Sequence, residues 1–408
     1  MKKVLRWILG LYIILLGVEE VFLATPGVVY LVAIFLVLTF LLGLLNQELR
    51  IRVSKAGALM ILLAALAIAS TFWSVDPDWS LHYAVMLFQL VLVTWIAASC
   101  IEDGASFEMV AWFLVLSSIY PALTMVREYL SGAQAQYAIA EGAKQFGERI
   151  AFSDADPNLN AYRIAVSVLA AIHLLLNTQG KGARMLLAAL ACLFVAAALL
   201  TGSRGGALAL GCSTAILLLA NFRRRKGSVL LILACFTALL LVTLPNLPAS
   251  VSARYLGIEQ EVATGTMAKR KLIYKEAEAS FGRHPSLGVG YVAFQEESRR
   301  RGGLGLAAHN DPLEIIMGLG LVGFGVYALL MAALLWAAGS VPSPAKGLAL
   351  GLFTAYAVSG LSITLLATKE AWVCFGIILG AAGQTGPVSI AWNRGLGQWL
   401  PSGESRHV

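Results

Sequence analysis

Apolar stretches long enough to cross a bilayer recur along the whole chain, and only one gap between them is long, residues 246–308. That gap ends in Ala307-Ala308-His309-Asn310-Asp311-Pro312, where the next apolar stretch begins. With 13% charged and 59% hydrophobic residues over 408 positions, little is left for a water-soluble domain. Such a domain would carry about 25% charged residues. The reading is an all-α polytopic membrane protein, a single integral membrane domain over 1–408, with about twelve transmembrane helices. The spans fall near 5–23, 27–45, 57–73, 81–99, 107–126, 158–177, 185–200, 206–221, 228–245, 309–338, 347–366 and 372–390. Residues 246–308 then form a large, partly helical loop between the ninth and tenth helices and carry part of the active site.

Met1-Lys2-Lys3 precedes the first apolar run as in a signal peptide, but no small-residue cleavage site follows, so the run is read as a retained helix. The five cysteines lie in or at the ends of spans and suggest neither a disulfide framework nor a zinc site.

Orientation follows from lysine and arginine in the short loops. One side collects fifteen: Lys2, Lys3, Arg6, Arg50, Arg52, Lys55, Lys181, Arg184, Arg223, Arg224, Arg225, Lys226, Lys346, Arg394 and Arg406. The other side's short loops hold five: Arg127, Lys144, Arg149, Arg204 and Lys369. The richer side is cytoplasmic, with both termini on it. The 246–308 loop, the 127–157 loop, the Thr201–Gly206 turn, His309 and Lys369 all fall on the outer side. No phosphate-binding GxxxxGK[ST] loop is present. Nucleotides are scarce outside the cytoplasm, so chemistry there needs a substrate that arrives activated and attached to lipid. Membrane lipids are expected partners and nucleic acid is not; no cofactor is expected.

Arg204 lies between two spans and beside glycines. It reads either as an interfacial anchor or as an anion ligand whose guanidinium fork meets phosphate oxygens. Met267–Arg283 reads as a helix with a solvated charged face (Lys271, Lys275, Glu276, Glu278) and an apolar one (Leu272, Ile273, Ala277, Phe281). His284-Pro285-Ser286-Leu287-Gly288-Val289-Gly290 breaks that helix, and a structural role for His284 is favoured over a catalytic one. Arg299-Arg300-Arg301 is taken as a solvated run. His309 opens the next helix, with Asn310 or Asp311 as cap and Pro312 in the first turn. The helix dipole and nearby arginines lower its pKa, so the imidazole is expected neutral and able to accept a proton. Asp154-Ala155-Asp156 has the form of a metal-holding pair, but that role needs a nucleotide diphosphate, so Asp156 and Asn158 are read as turn and helix-capping residues. No metal site is expected.

In order along the chain, these pieces resemble the O-antigen ligase and O-antigen polymerase superfamily of bacterial inner-membrane glycosyltransferases. The matching elements are Asp156-Pro157-Asn158, Ser203-Arg204-Gly205, Arg270 with its helix, His284-Pro285-x-x-Gly288-Val289-Gly290 with Phe294, and His309-Asn310 with Glu314 and Gly318–Gly323. The resemblance covers roughly 60–380. It implies transfer of a polysaccharide from undecaprenyl pyrophosphate to a sugar hydroxyl of lipid A–core, at the periplasmic face of a Gram-negative inner membrane, with inversion and without metal. Carried over, Arg204 and Arg270 match the pyrophosphate-holding arginines and His309 the essential histidine. Asn310, Asp156, Asn158, His284 and Lys369 are expected to line the site. Tyr274 and Asp311 depart from the expected pattern. A ligase is preferred. A polymerase joining lipid-linked repeats needs the same groups, and a lipid-linked sugar transporter is the reading from a different class.

Overall fold

Each apolar span becomes helical because a backbone in hydrocarbon has to satisfy its own N–H and C=O groups. The computed structural model describes residues 1–19, 27–49, 51–52, 54–131, 152, 156–247, 249–256, 270–383, 389–393 and 398–402. Arg50, Lys144, Arg149, Asp154, Met267, Arg394 and Arg406 of the sequence reading lie outside the described residues.

In chain order the first helices are α1 (Lys2–Gly17), α2 (Gly27–Leu45), α3 (Lys55–Ala69) and α4 (Pro77–Ser99). Next come α5 (Gly104–Ser117), α6 (Ile119–Ser131), α7 (Pro157–Asn177) and α8 (Lys181–Leu200). They are followed by α9 (Arg204–Thr243), α10 (Ala249–Leu256), α11 (Arg270–Arg283) and α12 (Phe294–Arg300). The last are α13 (Asp311–Ser340), α14 (Lys346–Ser359) and α15 (Lys369–Ala382). Among the described residues, eight helices are long and apolar enough to cross a membrane. Large apolar side chains such as Phe35, Leu219, Leu329 and Trp336 stay exposed, as expected where lipid and not water is the solvent.

Contacts gather into two compact units interleaved in sequence. One comprises Met1–Leu42, Cys100–Ile258 and Gly339–Ser359, the other Gly43–Ser99, Glu259–Ala338 and Gly360–Val408. The first is built around α7, which packs against α5, α8, α9 and α14. Small side chains let those backbones approach, which is how helices gain packing energy in lipid. At Gly206 the approach is closest: a Cβ there would lie 2.4 Å from that of Ala161.

The spans expected at 206–221 and 228–245 both lie in α9, whose regular backbone is interrupted at Arg225 (φ −135°, ψ 37°). Drawn straight, a helix of this length would reach about 60 Å. Yet Arg254 Nε donates to the Gly202 carbonyl at 3.3 Å and Tyr255 Oη to the Leu199 carbonyl at 3.0 Å. The short segment after Thr243 cannot make that return, so the helix doubles back at Arg225. The basic run Arg223–Lys226 marks the reversal.

In the second unit α4 packs on α15, and β1 (Ile51–Arg52) pairs antiparallel with β2 (Ser389–Asn393), which pairs with β3 (Gln398–Ser402). Helix α13 breaks at Gly320 (φ 63°, ψ −163°). The freed groups are taken up by the turn after α11: Val289 and Gly290 N–H donate to the Met317 and Gly318 carbonyls, and Leu321 and Val322 N–H donate to the Pro285 and Ser286 carbonyls, at 2.8–3.2 Å. The approach requires glycine at both ends. A Cβ on Gly288 would fall 2.5 Å from the Gly318 backbone, and one on Gly320 2.3 Å from that of Ser286.

Two boundaries differ from the sequence reading. The span expected at 347–366 ends as helix at Ser359, and residues 360–368 form a loop despite the apolar Leu361, Ile363, Leu365 and Leu366. Side chains from elsewhere in the second unit bond this loop's backbone, so helical pairing is not needed there. Of the span expected at 372–390, the helix begins at Lys369 and runs to Ala382, and residues 384–388 lie outside the described residues.

Candidate functional site

In the first unit two helix N-termini meet. Asp156 caps α7, its Oδ1 accepting the Asn158 N–H at 2.7 Å, with Pro157 at the first helical position. Ser203 caps α9, its Oγ accepting the Gly206 N–H at 3.1 Å. The same hydroxyl donates to Asn158 Oδ1 at 2.8 Å and ties the two caps together. Arg204 is the first residue of α9. Gly202 takes a left-handed φ of 58°, and Arg254 lies against it with its Nε on the Gly202 carbonyl. Two positive dipole ends and two guanidinium groups make this corner suited to an anion. Arg254 escaped the sequence reading because nothing local to it points back to Gly202.

The second unit holds the other cluster. Asn310 caps α13: its Oδ1 accepts the Leu313 N–H at 2.9 Å and its carbonyl accepts the Glu314 N–H at 2.9 Å. His309 therefore precedes the helix by two residues and does not open it. Its ring is exposed, and its backbone is left-handed (φ 49°). A side chain seldom adopts this conformation unless its neighbours impose it. Here they do. On one side the Ala308 N–H donates to Glu314 Oε1 at 2.7 Å, and on the other Asn310 Nδ2 donates to the Leu361 carbonyl at 3.1 Å.

Arg270, at the start of α11, donates from Nη2 to the Ser362 carbonyl at 2.9 Å, one residue from the Asn310 contact. A guanidinium carries five N–H donors, so this bond orients the group without exhausting it. Asp311 is wholly buried. Its N–H donates to the Gly360 carbonyl at 2.8 Å, and its Oδ1 accepts the Leu365 and Leu366 N–H groups at 2.8 and 3.0 Å. Lys369 follows the loop as the first residue of α15. Arg270, Asn310 and Asp311 thus converge on the 360–368 loop.

A cavity of about 430 Å³ opens between α11 and α13, lined by Tyr274, Phe281, Leu313, Ile316 and Phe324 with Asn310 and Glu278 among them. Nearby, burial raises the Tyr291 phenol pKa, and the carboxyls of Asp311 and Glu314 reinforce the shift.

His284 sits elsewhere. It follows the last turn of α11, about 20 Å along the axis from Arg270, with an exposed side chain and a carbonyl that accepts the Gly288 N–H at 3.1 Å. Its role in the fold is to end α11. The far end of α11 is braced instead by acids. Glu276 accepts from Ser298 Oγ (2.6 Å) and the Leu304 N–H (2.9 Å), so it is not merely part of a solvated face. Buried Glu297 accepts from Arg283 (2.8 Å), Arg301 (2.6 Å) and Ser280. Burial would raise its pKa, but these bonds outweigh it and hold the carboxyl below its ordinary value. Among the described residues, Arg299 and Arg300 pair with Glu296.

Residues 187–328 match the O-antigen ligase family model, which supports placement in the O-antigen ligase/polymerase superfamily. That match includes Arg204, Arg270, His309 and the α13 break, and stops short of the 360–368 loop. It implies a glycosyltransferase-like enzyme in O-antigen processing, of ligase or polymerase type, acting on lipid-linked polysaccharide in a membrane. No curated protein matches the chain.

Proposed function

We propose that this protein is an O-antigen ligase. It moves the polysaccharide from undecaprenyl pyrophosphate to a sugar hydroxyl of lipid A–core at the periplasmic face of the inner membrane, with inversion and without metal. The observation that carries the reading is the pairing, on adjacent loop carbonyls, of an oriented guanidinium (Arg270 on Ser362) with the cap residue next to a strained, exposed histidine (Asn310 on Leu361). The fifteen-to-five bias of loop lysines and arginines supports twelve crossings with both termini cytoplasmic and these residues on the outer face.

In the reaction the acceptor oxygen attacks the anomeric carbon opposite the leaving group and forms the new glycosidic bond. The bond to the pyrophosphate oxygen breaks, and its electron pair departs on that oxygen. Arg204 and Arg270 bind the departing charge, and His309 takes or orients the acceptor's proton. Pyrophosphate is a good leaving group, so charge stabilisation matters more than acid assistance. The apolar lining beside Asn310 suits the donor's isoprenoid chain better than its glycan.

The test is a lipopolysaccharide gel of a strain lacking the gene, with lipid-linked glycan measured alongside. Loss of all long chains from the core, with long lipid-linked polymer retained, is expected. Cores carrying one repeat unit would identify a polymerase, and loss of long chains with donor trapped on the cytoplasmic side a transporter.

A further inference from the structure

We infer that Asp311 is a positioning residue that sets Arg270 and His309 in register through the 360–368 loop, an inference that rests on the function proposed above. The helix does not need Asp311 as its cap, because Asn310 already accepts the Leu313 N–H. Nor is it a solvated first-turn acid, since none of its surface is exposed. Burying a carboxylate is costly unless hydrogen bonds replace its water. Two of those bonds come from residues 54 and 55 positions away, Leu365 and Leu366, and its own N–H reaches the Gly360 carbonyl.

What this arrangement secures is the loop between those anchors. The loop's Leu361 and Ser362 carbonyls, held from both sides, are the ones that grip Asn310 and Arg270. The result is a closed circuit from Asp311 to the loop, to Arg270 and Asn310, and back along the chain through His309. A carboxylate touching neither substrate nor reacting atoms thereby fixes the two groups that do.

The experiment uses the purified full chain in three forms: wild type, Asp311→Ala and Asp311→Asn. The donor is undecaprenyl-pyrophosphate-linked O-antigen and the acceptor rough lipopolysaccharide. Three things are measured: kcat and donor KM per folded molecule, melting temperature, and amide exchange across 360–368. Asp311→Ala should lower kcat about a hundredfold, as expected when reacting groups lose their register by about 1 Å. Donor KM should change by less than about threefold, since removing a positioning contact acts on the transition state more than on binding. The Leu365 and Leu366 amides should exchange faster. Asp311→Asn, which keeps an acceptor oxygen in the same place, should recover at least about tenfold of the lost rate.

Normal kcat per folded molecule in Asp311→Ala, with the deficit confined to melting temperature, would overturn the inference. If that variant does not fold, Asp311→Asn decides alone: slowed kcat at wild-type melting temperature supports the role, and wild-type kcat with altered loop exchange refutes it. His309→Gln separates the two claims. If it is inactive while Asp311→Ala turns over normally, only the positioning role fails. If wild-type protein forms no glycosidic product, the ligase reading fails and this inference with it.

Discussion

The corner at Arg204 and the cluster at His309 are held in different ways. At Arg204 the caps are local, Asp156 reaching two residues ahead and Ser203 three, and bonds spanning 45 and 52 residues then join the caps to each other and Arg254 to Gly202. At His309 the decisive bonds run 51 to 92 residues along the chain, from side chains to loop carbonyls and amides. The first arrangement comes from ordinary helix capping and puts no strain on Arg204. The second forces a histidine into a left-handed backbone and needs a loop, a cap and a buried acid to keep it there. A cap can be read from the residues at its own helix start, whereas a backbone held by distant side chains is set by partners that local inspection does not reveal.

The largest expected effect breaks this contrast at its centre. His309→Gly removes the ring and also the steric cost of φ 49°, because glycine has no Cβ to clash there. Transfer should fall at least about a hundredfold, the lower end for loss of a general base, while melting temperature holds or rises. His309→Gln should be comparably inactive yet still bind undecaprenyl pyrophosphate. Near-normal turnover in the glutamine variant would exclude proton abstraction, since an amide orients a hydroxyl but cannot act as its base. A sharp drop in stability for the glycine variant would show that the ring, and not the surrounding bonds, holds this backbone.

The second effect separates the two arginines. Lysine keeps the charge and loses the fork. Arg204→Lys and Arg270→Lys should each cost about a hundredfold in turnover if contacts made in the transition state are lost. Arg270→Lys should also speed amide exchange in 360–368, because Arg270 bonds the Ser362 carbonyl in that loop. Equal exchange in both variants would mean that Asn310 and Asp311 suffice to hold it. Wild-type turnover in Arg204→Lys would leave that residue as an interfacial anchor.

The same contrast explains what was legible in the sequence. Helix positions were, because an apolar run in lipid has few alternatives, and the reversal in α9 announces itself as Arg223–Lys226. The Asp156 and Ser203 caps follow from residue types at helix starts. The α13 break was visible only as a glycine pattern, since the bonds that repair it are backbone to backbone and carry no side-chain signature. Residues 360–366 read as the end of a span because Leu361, Ile363, Leu365 and Leu366 are apolar. Nothing local says that three distant side chains hold their backbone. Asp311 looked like a departure from pattern for the same reason: its partners are far away in sequence.

The smallest expected effect tests whether the far end of α11 matters to its near end. Glu297 is nearly buried and accepts from Arg283, Arg301 and Ser280. Burial opposes ionisation here, yet these bonds win, so the folded carboxyl titrates below its ordinary value. A depressed folded pKa fixes the sign. The stabilisation is fully present above the unfolded pKa, about 4.3, and is lost as pH falls through the lower folded value. Between pH 8 and 6 the protection of amides in 270–301, relative to their intrinsic exchange rates, should therefore show no dependence on this group, and it should fall as pH drops below the unfolded value. Glu297→Gln should remove that acid step, because an amide does not titrate. It should also loosen α11 at neutral pH, since a neutral acceptor bonds two guanidinium groups less well than a carboxylate. If the Arg270 end exchanges as in wild type while the Arg283 end loosens, the loop bond at Ser362 alone sets the position of Arg270. Loosening at both ends would make the acid network part of what holds the catalytic cluster.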